Sequence, residues 1–478
     1  MYLGLDLGTS SVKGLLIGAD QETIAEAKAS LTVSRPHPGW SEQAPADWLA
    51  ATSAVMAELQ GKADLSAIKG IGLSGHMHGA TLIDKSGDVL RPCILWNDTR
   101  SHSEAAEMDA DWHFREVTGN IVFPGFTAPK LAWVHNNERE IFDRTAKVLL
   151  PKDYLRLWLT GDAVSEMSDA AGTSWLDVGA RDWSDVLLSA TGLSRDHMPS
   201  LVEGSAPSGG LRQALADNWG IPAGIPVAGG GGDNAATAVG CGVTRPGQAF
   251  LSLGTSGVLF AATPSYSPDA ASAVHTFCHA LPGTWHQMGV VLSAADSLEW
   301  YARLTRSNAA DLTSALTGIE APGRACFLPY LGGERTPHND AQIRGALIGL
   351  EHETDLKAGT RAVLEGVAFA LKDSADALAQ TGTQIDTLIA VGGGSASRVW
   401  LEIMATVLGQ PIQIPVSGDF GAAFGAARLG MMGATGDTTL ATAPKIAATI
   451  EPDASLQDAF SAAHQRYRHT YNALRTLS

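Results

Sequence analysis

The amino-terminal stretch Leu3–Val12 has the sequence LGLDLGTSSV, and a related stretch, AFLSLGTSGV, stands at Ala249–Val258. In both copies, apolar residues that favour strands flank a Gly-Thr-Ser segment, which predicts a strand, a tight turn and a second strand. An internal repeat of this kind indicates two related halves. We therefore expect two similar domains, each containing this hairpin.

Each predicted turn directs backbone N–H groups and hydroxyls to one spot, which suits a phosphate oxygen. The copies differ where the first has Asp6 and the second has Ser252. Two such turns with one carboxylate predict a nucleotide between the halves, with a metal ion on the Asp6 side. Ordinary hairpin turns are the alternative, and the motif is not a P-loop because the Gly-Lys-Ser/Thr ending is missing. The nucleotide-binding candidates here are Gly8, Thr9, Ser10, Lys13, Gly254, Thr255 and Ser256.

Length and composition limit the architecture and the partners. The 478 residues exceed what one core usually supports, and we predict domains over 1–244 and 245–478. The net charge of −17 argues against nucleic acid or an anionic membrane as a partner. The four cysteines lack paired spacing, and the chain shows no signal peptide or membrane-spanning run. These features predict a cytoplasmic protein.

Strand and helix patterns alternate along the chain. Residues 46–60 have the apolar spacing of a helix, and 68–73 form a short apolar run typical of a strand. In the second half, 355–378 predicts a helix and 387–391 a strand. The alternation predicts an α/β fold.

A glycine run at Gly229–Gly232 follows a predicted strand and ends in Asp233, directly before a helical segment. Asp233 could cap that helix. Four glycines, however, permit the close approach of another group, which a cap does not require. We therefore predict that Asp233 is a general base, taking the proton from a hydroxyl that attacks a γ-phosphate.

Asp6 is the second catalytic candidate. A buried structural carboxylate at a strand end is one interpretation. Phosphoryl transfer, however, needs Mg²⁺ on oxygen ligands, often one or two carboxylates with several waters. We predict that Asp6, directly or through water, and Asp233 bind this metal.

Two loops are candidates for contact with a small substrate. His76-Met77-His78 follows a strand and lies between two glycines, and the lack of a nearby third ligand argues against zinc. Trp96-Asn97-Asp98 places an aromatic ring beside an amide and a carboxylate, a combination that resembles carbohydrate recognition. A structural turn and ordinary packing are the alternatives.

Gly392–Gly394 lies between a predicted strand and a helix. The dinucleotide fingerprint GxGxxG is not satisfied, because Ser395-Ala396-Ser397 follows. The better functional interpretation is a flat glycine surface against adenine, formed by Gly393, Gly394 and Ser397.

Together these motifs resemble the FGGY carbohydrate kinases. The resemblance covers essentially the whole chain and rests on residues 6–10, 75–79, 96–98, 230–234, 252–256 and 345–365, with 74–80, 95–98 and 329–337 closest to the members that act on D-xylulose. It implies two ribonuclease-H-like domains of the actin and hexokinase type with a central cleft. The implied activity is ATP-dependent phosphorylation of D-xylulose to D-xylulose 5-phosphate.

The resemblance also assigns roles to residues. It implies that Asp233 is the base and that Asp6 lies near Mg-ATP. Thr255 and Ser256 would face phosphate, and Gly393 and Ser397 would flank adenine. The substrate-binding candidates are Met77, His78, Trp96, Asn97, Asp98 and Asn234. Thr99 and Ser395 depart from the usual Gly and Ala, which leaves open the sugar preference and the fit around the nucleotide.

Two alternatives stay open. One is a kinase of the same fold for another ketose or polyol, such as ribulose, an alditol or glycerol. The other is an actin-like ATP-binding regulator without enzymatic activity, although retention of Asp6 and Asp233 favours catalysis and no basic DNA-binding helix pair stands out. The expected partners are a sugar and ATP, with no nucleic acid or membrane, and a homodimer is compatible with these expectations.

Overall fold

Two mixed β-sheets, one in each half, form the framework of the computed structural model, which describes residues 1–416 and 420–476. The strands of the first half are β1 (Tyr2–Leu7), β2 (Ser11–Ile17), β3 (Thr23–Ser30), β4 (Glu42–Gln43), β5 (Ile71–Gly75), β6 (Thr81–Ile83), β7 (Cys93–Ile94), β8 (Lys147–Leu149), β9 (Val164–Glu166), β10 (Leu176–Asp177), β11 (Asp182–Trp183), β12 (Ser200–Val202), β13 (Pro207–Gly210), β14 (Pro226–Ala228) and β15 (Gly231–Gly232). The strands of the second half are β16 (Gly247–Leu253), β17 (Gly257–Thr263), β18 (His275–Cys278), β19 (Trp285–Val291), β20 (Cys326–Leu328), β21 (Ala346–Ile348), β22 (Ile385–Val391), β23 (Ile412–Pro415) and β24 (Ile446–Ile450).

Helices cover the sheets. They are α1 (Pro45–Gln60), α2 (His102–Ala110), α3 (Trp112–Thr118), α4 (Thr127–Asn137), α5 (Arg139–Arg144), α6 (Pro151–Thr160), α7 (Met167–Ala170), α8 (Asp185–Ala190), α9 (Gln213–Trp219), α10 (Asp233–Gly240), α11 (Ala295–Thr305), α12 (Ala309–Ser314), α13 (Leu356–Gln380), α14 (Arg398–Leu408), α15 (Ala422–Thr435) and α16 (Gln457–Leu474). Within residues 1–416 and 420–476, no helix is both long enough and apolar enough to cross a bilayer.

The two large sheets share a central topology. The first has the order β13-β14-β5-β1-β2-β3, with β15 also paired to β5, and the second has the order β18-β19-β17-β16-β22-β23-β24. β1 is antiparallel to β2 and parallel to β5, and β16 is likewise antiparallel to β17 and parallel to β22. This repeated arrangement confirms the predicted α/β fold of two related domains.

The central strand β1 is buried on both faces of the sheet. Leu3, Leu5 and Leu7 are fully buried on one face, and Tyr2 and Gly4 are buried on the other, as is typical of a strand covered by helices on both sides. The helix predicted over 46–60 is α1, and Trp48 lies in the core of the first half. The repeated hairpins therefore lie at the centre of their sheets.

One helix of the second half packs against the first sheet. Helix α15 lies on β1, β5 and α10. A Cβ at Gly4 or at Gly72 would overlap a backbone carbonyl oxygen of this helix, and a Cβ at Gly425 would overlap the carbonyl oxygen of Ala236. Glycine at these positions lets the backbones of the two halves touch directly. The division between residues 244 and 245 stays a prediction.

Candidate active site

Three segments leave the first sheet at the same edge. Asp6 on β1 pairs in register with Ser74 on β5, and Gly231 on β15 pairs with Ser74 as well. All three strands are parallel, so their carboxyl ends meet at one edge, where ligands of α/β sheets commonly bind. The register therefore gathers Asp6, the loop after Ser74 and Asp233 at one place.

Asp233 is the first residue of α10, and Gly232 occupies the cap position before it. The Oδ1 atom of Asp233 accepts a hydrogen bond from the Asn234 backbone N–H at 2.7 Å and from the Asn234 side-chain amide at 3.0 Å. These bonds come from the adjacent residue and not from later N–H groups of the helix. Asp233 therefore does not cap α10, and its neighbour Asn234 orients its carboxylate.

The environment of Asp233 suits a general base. Burial, followed by the negative charge of Asp6, raises the pKa of Asp233 to about 6, and the hydrogen bonds from Asn234 act in the opposite direction. A base with a pKa near the working pH is effective in proton transfer. Two mutually repelling carboxylates in a half-buried cleft also form a donor set that fits Mg²⁺.

Met77 and His78 lie on the loop that follows β5, beside Asp233. A Cβ at Gly232 would lie 2.9 Å from the Cγ and Sδ atoms of Met77, so this thioether packs on the glycine before the base. His78 has a φ of +70°, which is uncommon for a histidine and occurs often at functional sites. Its ring stacks on Phe126 with the ring centroids 4.6 Å apart.

The hydrogen bonds of His78 determine which ring nitrogen carries the proton. Burial lowers the pKa of His78 to about 3, so the ring is neutral. Its Nδ1 lies 2.7 Å from the carbonyl oxygen of Gly172, which only accepts, so Nδ1 carries the proton. The Nε2 atom is then the hydrogen-bond acceptor of the ring. The Nζ of Lys130 donates to the His78 carbonyl oxygen at 2.7 Å and holds the loop in place.

The three residues of the Trp96–Asp98 segment face different surroundings. The indole Nε1 of Trp96 donates to Thr9 Oγ1 at 3.0 Å, which ties Trp96 to the first hairpin turn. The Oδ1 atom of Asn97 is buried and has no protein hydrogen-bond partner within 1–416 and 420–476. Asp98 is 1% exposed and accepts from the backbone N–H of Ser41 at 2.6 Å and from Arg100 Nη2 at 2.7 Å. This geometry favours a structural role for Asp98 over direct contact with a sugar.

The first hairpin turn is held by its neighbours. The Gly8 N–H donates to the Ser11 carbonyl oxygen at 3.0 Å, and Gln43 donates to the Thr9 carbonyl oxygen at 2.7 Å. Lys13 pairs directly opposite Asp6 across the two strands, and its Nζ lies 3.0 Å from Glu26. Ser10, the third residue of the turn motif, is exposed.

The second hairpin turn borders a cavity of about 660 Å³. The cavity brings together five of the predicted nucleotide-binding residues, namely Gly254, Thr255, Gly393, Gly394 and Ser397. Leu253, Leu298 and Trp400 supply apolar walls. Its volume lies within the range of small-molecule sites, and flat glycine surfaces with apolar walls suit a purine ring.

Sequence reasoning missed a buried ionic group behind Asp233. It consists of Lys152, Asp153, Arg156, Glu166 and Asp169, all fully buried. Ser168 links this group to the residue before Asp233, because its Oγ accepts the Gly232 N–H at 3.0 Å and donates to Glu166 at 2.9 Å. Charged residues within the otherwise apolar segments 150–159 and 164–171 are the signal that could have revealed it.

Comparison with known proteins shows where this arrangement belongs. Residues 1–240 match the N-terminal domain of the FGGY family of carbohydrate kinases, and residues 249–434 match its C-terminal domain. The chain belongs to the FGGY family of carbohydrate kinases. The predicted family is thereby confirmed, and the protein is a carbohydrate kinase.

Relatives of this FGGY kinase match over 90% or more of its length. The xylulose kinase of Escherichia coli (strain K12) is 48% identical over 483 residues, covering 100% of both chains. The xylulose kinase of Klebsiella pneumoniae is 51% identical over 90% of this chain and 89% of its own. The crystal structure of a "xyloylose kinase" from Brucella ovis has a TM-score of 0.98 and 60% identity, covering 100% of both chains.

Proposed function

We propose that this kinase transfers the γ-phosphoryl group of ATP to the C5 hydroxyl of D-xylulose, producing D-xylulose 5-phosphate and ADP. The observation that carries the proposal is the position of Asp233, next to Asp6 and to the Met77–His78 loop. The sugar is inferred from the relatives, since both curated proteins named above are xylulose kinases.

The residues of this chain have distinct parts in the proposed reaction. Asp233 takes the proton of the sugar hydroxyl as its oxygen bonds to the γ-phosphorus. The bond between the γ-phosphorus and the β,γ-bridging oxygen breaks, and ADP leaves. The Nε2 atom of His78 accepts a hydrogen bond from another sugar hydroxyl, and Met77 packs on Gly232, directly before Asp233. The cavity beside Gly254 and Gly394 holds the adenine.

The proposed metal is Mg²⁺, held by Asp6, directly or through water, with Asp233 as the second carboxylate. Bound there, it would neutralise charge on the phosphates. Support comes from the pKa of Asp233, which burial and then the negative charge of Asp6 raise, so that the two carboxylates lie close enough to interact. Metal binding by the enzyme without ATP, measured with Mn²⁺ as a paramagnetic probe, would weaken in Asp6→Asn.

The experiment that tests the function is a coupled ADP-release assay across D-xylulose, ribulose, alditols and glycerol. We expect D-xylulose to give the highest kcat/KM. Asp233→Asn should reduce the rate by about 10²- to 10⁴-fold while nucleotide binding persists. Asp47→Asn is the matched control, because Asp47 also lies in the first turn of a helix but is exposed. A better polyol substrate, or Asp233→Asn turnover within about threefold of wild type, would overturn the proposal.

We also infer that sugar and nucleotide bind cooperatively and draw the two halves together, since the two turns lie on different sheets. Closure would keep water from Asp233 and so limit ATP hydrolysis without sugar. X-ray scattering with D-xylulose and a non-hydrolysable ATP analogue should show a smaller radius of gyration than with either ligand alone. An unchanged radius with sugar-independent ATP turnover would indicate a rigid ATPase.

We further propose that the two domains divide between residues 244 and 245. We also propose that the protein is cytoplasmic and forms a homodimer. A purine cavity in the second half and a base in the first support the division. Sedimentation equilibrium of the full chain would measure its assembly.

A further inference from the structure

We infer that Arg335, from the second half, completes the sugar site by donating hydrogen bonds to the ketone end of the substrate. The segment Pro329–Pro337 carries part of the family resemblance, yet none of its residues has a role in the site described above. The inference rests on the proposed function, because it concerns how that sugar is recognised.

The backbone around Arg335 is held on both sides. The Glu334 Oε1 atom accepts the N–H of Leu292 at 3.1 Å and the N–H of Arg335 at 2.7 Å. On the other side, the Thr336 hydroxyl donates to the Ala273 carbonyl oxygen at 2.9 Å. Glu334 and Thr336 are both nearly fully buried. Arg335 therefore projects from a fixed position, as a recognition residue must.

The guanidinium of Arg335 crosses to the first half. Its Cζ lies 4.5 Å from the ring centroid of Phe123, and its Nη1 lies 3.4 Å from Nε2 of His275. Phe123 and His275 pack in turn against Phe126, the ring on which His78 stacks. The Arg335 guanidinium thus lies against the aromatic side chains that pack around His78.

No carboxylate forms an ion pair with the Arg335 guanidinium in the part of the chain that the structure describes. Burial lowers the pKa of Arg335, and the charge of Glu334 opposes this only in part. A half-buried guanidinium has five N–H donors, and a neutral ring face and one weak nitrogen contact leave most of them available. Such donors are favourable only when a ligand or water accepts their hydrogen bonds.

Arg335 lies on the His78 side of the site. Its guanidinium lies over Phe123, which packs on Phe126, the ring that stacks on His78. With its C5 hydroxyl at Asp233, a ketopentose that extends past His78 would direct its C1 and C2 atoms toward Arg335.

The donor set of Arg335 favours a ketone over an alcohol. A ketone oxygen only accepts hydrogen bonds, and a guanidinium only donates them, so the two are matched. An alditol has a hydroxyl at C2 that must also donate, and Arg335 cannot accept that proton. A polar group in the site that lacks its partner is the usual basis of strong discrimination between related substrates.

The test compares Arg335→Met with wild type on D-xylulose and on xylitol. Methionine keeps an unbranched apolar stem against Phe123 and removes every donor. We expect KM and the calorimetric Kd for D-xylulose to rise about 10- to 100-fold, the range for a hydrogen bond to a charged group. The loss for xylitol should be at least about threefold smaller, and the Kd for ATP should not change.

Arg181→Met is the matched control. Arg181 also lies over an aromatic ring, 5.2 Å from the Trp285 centroid, and also joins the halves by donating to the Thr284 carbonyl oxygen at 3.0 Å. We expect its KM for D-xylulose to equal that of wild type. Arg335→Lys, which keeps the charge without the planar fork, should recover part of the affinity if Arg335→Met fails to fold.

Three outcomes would overturn the inference: a D-xylulose Kd within twofold of wild type in Arg335→Met, equal losses for D-xylulose and xylitol, or an equal loss in Arg181→Met. Failure of the proposed function is distinguishable, since it would appear without any change at Arg335, as a wild-type preference for a polyol over D-xylulose or as retained turnover in Asp233→Asn.

Discussion

The two hairpin turns have nearly the same sequence but different surroundings. Four residues join Leu7 to its partner Val12, whereas three join Leu253 to its partner Gly257. Because of the extra residue in the first turn, β2 pairs with β1 one position out of step with the pairing of β17 and β16. Equivalent side chains of β2 and β17 therefore point to opposite faces of their sheets. Conserved turn chemistry therefore does not imply a conserved role for the strand residues beside it.

The consequence lies in the pairs formed across each hairpin. Asp6 faces Lys13 in the first hairpin, whereas Ser252 faces Val258 in the second. Residues directly opposite on neighbouring strands lie on the same face of the sheet. The first turn thus follows a strand with a carboxylate near Asp233, and the second borders the cavity lined by Gly254, Gly394 and Trp400.

The largest expected difference between the turns comes from removing the carboxylate. Asp6→Asn should lower kcat by about 100-fold, because it removes a charge at the phosphates. Ser252→Ala should stay within about threefold of wild type. Titration of Mg²⁺ against rate for both variants checks this. Equal sensitivity would mean that the asymmetry between the turns is incidental.

A second test uses pH. The base must be ionised, so kcat/KM should fall as pH drops below about 6, by about tenfold at pH 5. The negative charge of Asp6 disfavours ionisation of Asp233, so Asp6→Asn should move this acidic limb to lower pH. Ser252→Ala should leave it in place. A limb that does not move in Asp6→Asn would contradict the coupling between the two carboxylates.

A substitution in the cavity beside Gly254 and Gly394 should have a smaller effect on the kinetics. A Cβ at Gly394 would lie 2.9 Å from Leu253 Cβ and 3.0 Å from the Trp400 ring, so the wall must shift in Gly394→Ala. We expect KM for ATP to rise about fivefold with KM for the sugar unchanged. Gly323→Ala is the control, since a Cβ there meets nothing within 4 Å. A change confined to the sugar KM would place the nucleotide elsewhere.

The smallest expected effect concerns the bond between Trp96 and the first turn. Trp96→Phe keeps a ring but removes the N–H that Thr9 accepts at 3.0 Å. Loss of one neutral hydrogen bond should lower kcat/KM by about two- to threefold. Trp112→Phe is the control, because Trp112 is 62% exposed and lies outside the site. A loss above about 100-fold would indicate direct contact of Trp96 with a ligand.

Much of the fold followed from local pattern. The hairpins, helix α1 and the helix after Asp233 arise where apolar spacing and glycine turns agree, and α13 over Leu356–Gln380 lies close to the predicted 355–378. The strand predicted over 68–73 lies at Ile71–Gly75, shifted because pairing with β1 sets its bounds. Asp98 was grouped with Trp96 by adjacency alone, and its ion pair with Arg100 was not apparent from that adjacency.

By itself the sequence determined the repeat, the two Gly-Thr-Ser turns and the chemical types of the candidate residues. Each of these features depends only on residues that are close together in the chain. The tertiary structure decided which of them meet. Parallel register placed Asp233 beside Asp6, and burial raised the Asp233 pKa to about 6. The reach of Arg335 to Phe123, more than two hundred residues away, depends on how the halves pack, and no local pattern contains it.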